Sequence, residues 1–531
     1  METITSHNAN GASVAYTYDD LNRLSTVVDN NLPGQNTTDY TYDQASNVAT
    51  VKYPSGLTST FTYDSMNRLT ELVYSPQSTP PVINYSYQLG LTGNRTQATE
   101  TSGRTVNWSY DGIYRLTNET ITGDTSNNGG NNGSATYTLD PVGNRTAANS
   151  NFSGFNPIAG SYNADDQLSS ETYDSNGNTT LAANGNSYTY DSENHMTSAT
   201  GNGKTITMAY DAFGNRVAKT VNSGTTSVTT WYLVEDDVNP TGLPQVLEEK
   251  VGGAVQRVYT YGLQRISQYL SPTVTGINAW TASFYVYDGA GSVRQLTDIN
   301  GTPTDEYEYD AYGNSFTKQG TTPNNYLYRG EQFDSDLGLY YLRARYYNPA
   351  TGRFLSRDPQ AGYPILPMSL QKYLYASANP VNRIDPRGLE DLVDVALRTG
   401  KSIVTTGMFA SAVSCGGSLA FTLVSGALFN DYTFGSFSGY GAGAVGNIST
   451  VAGCVSMFIT KYETIVKVSN VLGRLGCAAA AIQVGLDVAK YLNDDKASAS
   501  SSILTDDLMH FEIDLLSGDF GCAMTWVAAS L

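Results

Sequence analysis

Along most of this chain aromatic residues alternate with small polar ones. YTYDDLNRL (16–24), YTYDQASNV (40–48), FTYDSMNRL (61–69), WSYDGIYRL (108–116) and YTYDSENHM (188–196) follow one scheme, and YTLDPVGNRT (137–146), YVYDGAGSVRQL (285–296) and YEYDAYGN (307–314) are diverged copies. A period of two puts both rings of each Tyr-x-Tyr on one face of a strand. Asp followed by small residues and Asn or Gly is turn chemistry: the Asx side chain bonds nearby backbone, and Asn or Gly tolerates positive φ. The Arg-Leu that follows begins a returning strand. Each unit therefore predicts a short β-hairpin that cannot bury its own apolar face, so neighbours must stack side by side. The Asp positions recur every roughly 20–30 residues, the range of quasi-one-dimensional repeat architectures. The Tyr-Asp array admits two readings, rings that pack with Asp capping a turn, or exposed Tyr forming a sugar-binding surface.

Near residue 390 the pattern stops. Of 39 Tyr only Tyr432, Tyr440, Tyr462 and Tyr491 lie beyond it, whereas all four Cys do: Cys415, Cys454, Cys477 and Cys522. Such a break predicts two separately folding parts. In LEDLVDVALRTGKSIV (389–404) and again in 462–495 apolar residues recur at helical spacing, so the tail reads as mostly α. Residues 402–430 and 432–460 carry no charge. They are long enough to span a bilayer, yet rich in Gly, Ser, Thr and Ala, so membrane insertion and a tightly packed core are both open.

Charge narrows the picture. With 49 acidic against 30 basic residues the net charge is -19, which argues against a surface that coats nucleic acid. The opening METITSHNANGASVAYTYDD has no basic stretch followed by an apolar one, so no secretory signal is read there, and it runs directly into a repeat, which leaves a longer natural protein and a split reading frame both open. The Cys spacings match no metal pattern; free thiols and disulfides both remain open. In the tail, DDLMHFEID places Asp507, His510 and Glu512 together, either an acid–base site or a solvated amphipathic face. No cofactor or metal site is expected.

At the seam itself, SRDP supplies Arg357 and Asp358, and IDPRGL supplies Asp385, Pro386, Arg387, Gly388 and Leu389. No His or Cys lies between Arg353 and Leu389, so Ser-His and Cys-His schemes have no local parts. Two carboxylates at hydrogen-bond distance would share a proton and split into acid and base, and a guanidinium nearby would keep the base ionised. Asp-Pro pairs also end strands and start turns, so the residues alone leave that reading standing.

Together these motifs resemble the YD repeats of Rhs-family proteins, of the TcB and TcC components of insecticidal toxin complexes and of teneurins, over roughly residues 10–389. Residues 326–389, from YLYRGEQFDSDLGLYYLRARYYNPATGRFLSRDP to NPVNRIDPRGL, resemble the Rhs repeat-associated core nearly in full. The resemblance implies a mainly β fold in which YD hairpins stack into a curled sheet, part of a hollow shell that is sealed by the core and encloses the polypeptide that follows. It implies three parts: a shell segment at 1–325, the core at 326–389 and a variable effector at 390–531. It further implies an intramolecular aspartyl protease that cuts after the Leu of Asp-Pro-x-Gly-Leu, with Asp358 and Asp385 as the pair, Arg357 as the adjacent Arg, Pro386 and Gly388 in the motif, and Leu389-Glu390 as the bond cut. The spacer at 361–380 is longer than usual, and some toxin-complex members carry a further Asp where this chain has Leu374. The function implied is a secreted or surface-delivered polymorphic toxin fragment. Its partners would be its own tail as cargo, a further N-terminal shell portion or delivery machinery, and an immunity protein. The rival reading is a cell-surface YD-repeat protein acting in adhesion or carbohydrate binding.

Overall fold

The computed structural model describes residues 2–389, apart from 77–82, 126–130, 153–154, 156, 237–238 and 363–366, together with the backbone of 392–393. Among them two antiparallel sheets of 14 strands dominate. One runs from Glu2–Thr5 to Ile158–Ala159, the other from Thr172–Tyr173 to Ser315–Gln319, and in both every strand pairs with its sequence neighbours. Neither sheet closes into a barrel. The chain is mainly β and built from stacked YD hairpins, as the alternation predicts.

The hairpin tips that carry the motif Asp repeat one set of hydrogen bonds. Asp64 Oδ1 accepts the backbone N–H of Met66 at 2.9 Å and of Arg68 at 3.0 Å, while Oδ2 accepts Arg68 Nε at 2.7 Å. Asp19, Asp43, Asp111, Asp174, Asp191, Asp211 and Asp310 cap their own tips in the same way. The bond from Arg68 holds the Asp64 carboxyl below the usual carboxylate range. The residue three after the Asp is left-handed, which is why Asn or Gly stands there: Asn22, Asn67, Gly143 and Gly313 all have positive φ. The stretch around Tyr87-Gln88, which lacks the tetrad, still makes a hairpin: Gly90 takes the Asp place, its N–H bonding Asn94 O at 2.8 Å, and Gly93 has φ 88°.

At several tips the Tyr before the Asp latches one hairpin to the previous one. Tyr42 Oη donates to Leu24 O at 2.7 Å, Tyr63 to Val48 O at 3.0 Å, Tyr210 to Met196 O at 2.8 Å and Tyr287 to Arg265 O at 2.7 Å. A register shift directly before this Tyr recurs in the ladders and aims the ring at its neighbour. Each such bond contributes about 1 kcal/mol, a modest amount multiplied along the sheet. Rings and carboxylates of the repeats are thus used within the fold, the first of the two readings of the array.

Strands late in the second sheet are buried on both faces. Phe284 and Val286 pack with Leu72, Tyr74 and Tyr85 of the first sheet, while Tyr285 and Tyr287 pack with Tyr328, Tyr340 and Tyr347 of the segment that follows the sheets. Polar contacts pin the two sheets together: Ala12 N–H donates to Glu248 at 2.8 Å, Gly289 N–H to Tyr87 Oη at 2.5 Å and Ala311 N–H to Glu119 at 2.8 Å. The last segment forms a small four-stranded sheet, Gln332–Asp334, Leu339–Leu342, Arg345–Asn348 and Arg353–Phe354. It docks on the second sheet through a buried ion cluster, with Asp334 between Arg216 at 2.5 Å and Lys219 at 2.6 Å. Burial disfavours the Asp334 charge, but the two cations outweigh it and hold the carboxyl well below its ordinary range.

Candidate functional site

The carboxylates named from sequence lie at the edge of this small sheet. Asp358 follows the strand Arg353–Phe354, and its N–H donates to Lys372 O at 2.9 Å. The long spacer is closed by Lys372, whose ammonium donates to Gln360 O at 2.6 Å and Ala361 O at 2.7 Å. Lys372 thus brings the two sides of the spacer together. Asp385 follows the strand Arg383–Ile384, which pairs with Leu392–Val393. It is buried, whereas the Asp358 side chain keeps 17 % of its accessible surface.

Both carboxylates meet one guanidinium, that of Arg345. Its Nη2 lies 3.1 Å from Asp358 Oδ2 and 3.3 Å from Asp385 Oδ2. Nη1 donates to Lys372 O at 3.1 Å, Nε donates to Gly388 O, and the group lies 3.7 Å over the Phe354 ring. Arg357, the arginine expected here, is exposed, and its stem lies beside Gly177. Sequence reasoning passed over Arg345, although its place two residues before the buried Tyr347 marks it as inward-facing. A buried Arg calls for carboxylate partners.

The motif around the predicted cut is held as a tight turn. Gly388 N–H donates to Asp385 O at 3.3 Å, and Leu389 N–H donates to Asp385 Oδ1 at 2.9 Å. Arg343 donates to Pro386 O, and the Arg387 side chain to Gly242 O at 3.1 Å. Gly388 has φ 67°, and a Cβ there would stand 2.6 Å from Leu342 O, so only glycine fits. Pro386 is buried beside it. Leu374 lies against Gly143. Glu390, the tail cluster Asp507, His510 and Glu512, the four Cys and the uncharged runs at 402–460 lie outside the described residues. No cluster of His, Cys, Asp and Glu suited to a metal occurs among the described residues, and no described helix is long and apolar enough to cross a membrane.

Comparison with known proteins supplies context. The family model described as Teneurin YD-shell matches residues 1–128 and 125–381. The tRNA3(Ser)-specific nuclease WapA of Bacillus spizizenii is 36% identical over 264 residues, which cover 48% of this chain and 11% of that protein. The probable deoxyribonuclease RhsB of Dickeya dadantii is 29% identical over 208 residues, covering 38% of this chain and 13% of that protein. The chain thus spans about a tenth of the length of the curated relatives it matches. Among solved structures, the Photorhabdus luminescens Tc holotoxin pore superposes with a TM-score of 0.60 at 19% identity, over 72% of this chain and 20% of that one. The TcdB2–TccC3 complex gives 0.60 at 20% identity, over 72% and 21%. The same hairpin sheet is thus seen in solved toxin components, and the family match spans the repeats and most of the small sheet that follows. This chain belongs to the teneurin YD-shell family.

Proposed function

We propose that this chain is a shell segment of a polymorphic toxin whose core, residues 326–389, cuts its own backbone at Leu389-Glu390 and thereby separates residues 390–531 as an effector from the YD-repeat shell, residues 1–325. The observation that carries this reading is the convergence of Asp358 and Asp385 on Arg345, with the same two groups, Asp385 and Arg345, bonded to Leu389 N–H and Gly388 O. A self-cleaving peptide needs its bond held against the acid and base, and here binding and chemistry use the same side chains.

In this reading Asp358, the more exposed carboxylate, takes a proton from water as the water oxygen attacks the Leu389 carbonyl carbon. Asp385, holding Leu389 through its N–H, is the partner that polarises the carbonyl once it takes up a proton. Collapse of the tetrahedral intermediate breaks the C–N bond. The proton held by Asp358 passes to the departing Glu390 nitrogen, leaving Leu389 as a carboxylate. The reaction turns over once per chain. Effector activity belongs to the tail, and the nuclease names of the Bacillus and Dickeya relatives make tRNA and DNA the first substrates to assay. Export from a bacterium, a small immunity protein and a further shell portion are the partners this reading carries with it.

N-terminal sequencing of the purified full chain tests it, alongside Asp358→Asn and Asp385→Asn. The wild type should yield a second N-terminus at Glu390, and each variant should slow its appearance by at least about 100-fold. A wild type with one N-terminus, or variants that cut at the wild-type rate, would refute the assignment.

A further inference from the structure

The buried guanidinium of Arg345 makes more contacts at this site than either carboxylate needs for ionisation alone. Its three nitrogens meet Gly388 O, Lys372 O, Asp358 and Asp385, and its plane rests on Phe354. One side chain therefore ties the turn that presents Leu389, the spacer that carries Lys372 and both acids to a single point. Resting on the self-cleavage reading above, we propose that Arg345 is the positioning residue of the reaction: it docks the Gly388 carbonyl, one residue before the bond to be cut, and governs when Asp385 takes up its proton.

The physical argument is one of competition. Protonating Asp385 removes the negative charge that attracts Arg345 Nη2, so proton uptake weakens that ion pair. A cation in contact opposes uptake. The other charges around the pair have separate occupations. Lys372 closes the spacer loop on Gln360 O and Ala361 O, Arg357 points out beside Gly177, Arg343 binds Glu331 and Pro386 O, and Arg387 reaches Gly242 O. Arg345 is the cation in ion-pair contact with both acids. Saturated by these partners, it positions and does not itself transfer a proton.

The experiment follows cleavage of the full chain from pH 4 to pH 9 in wild type, Arg345→Lys and Arg345→Gln, with thermal melting to confirm that each variant is folded. Arg345→Gln should cleave about 100-fold more slowly, with its pH optimum moved up by about one unit because the opposing cation is gone. Arg345→Lys, which keeps the charge but not the forked geometry, should also be slow yet hold the wild-type optimum. If folded Arg345→Gln keeps the wild-type optimum, or if both variants cleave at the wild-type rate, the inference fails while self-cleavage stands. If Arg345→Gln does not fold, the Lys variant decides alone: wild-type rate refutes positioning, and a slow rate at an unchanged optimum supports it. A wild type that stays intact at every pH overturns the reading on which the inference rests.

Discussion

Tyr114 stands where most other Asp-capped hairpin tips have Asn or Gly, with φ 68°, and it is half exposed. A bulky residue in the left-handed region costs about 1–2 kcal/mol, and its ring gains little by packing there. Tyr114→Asn should raise stability by about 1 kcal/mol, read as a higher denaturant midpoint at unchanged slope. An unchanged or lower midpoint would show that the tip is not strained. At this scale the sequence was largely legible. The Asp caps and the Asn or Gly three residues on follow from turn chemistry and are found at tip after tip. The two acids of the candidate site were legible as residues, but their guanidinium was not. Adjacency in sequence pointed to Arg357, whereas in space the partner comes from the neighbouring strand, thirteen places earlier at Arg345. A cross-strand contact leaves a trace only in the alternation of buried positions.

Between elements, the contact of the strand Leu116–Thr122 with the tip after Pro303–Tyr309 joins the two sheets. Glu119 accepts Ala311 N–H there at 2.8 Å and Trp108 Nε1 at 3.2 Å. Burial, and then the nearby Asp310, push the Glu119 carboxyl up to about 8; burial pushes Asp310 up to about 6. Arg104 and Arg145 face the pair and oppose these shifts. Because both folded values lie above the ordinary ones, the stabilisation from this contact is full in acid and is lost as pH climbs through 6 and then 8. The capped tips behave oppositely: Asp64, held low by Arg68, stabilises at neutral pH and loses its effect as pH falls below the carboxylate range. Unfolding followed from pH 5 to pH 9 should show stability declining by on the order of 1 kcal/mol per pH unit up to about pH 8, where Glu119 ionises in the folded protein, and levelling off above it. Glu119→Gln should flatten that decline, and an unchanged slope in the variant would contradict the assignment. Hairpins were legible from alternation and turns; their layering was not, because a strand such as Thr281–Tyr287 buries one face against the first sheet and the other against the segment that follows the sheets, and neither partner lies beside it in sequence.

For the molecule as a whole, repetition makes the shell and singular residues make the site. The Tyr latches and Asp caps recur from hairpin to hairpin, whereas Asp358, Asp385, Arg345 and Gly388 each occur once, at the place where the repeats end. The break in composition near residue 390 is the large-scale signal in the sequence. Whether that break is also a break in the backbone is the central claim. Intact-mass measurement of the purified, denatured full chain tests it most directly. Two polypeptides that divide between Leu389 and Glu390 are predicted, and a single species of 57.1 kDa that persists across the pH range would contradict the account.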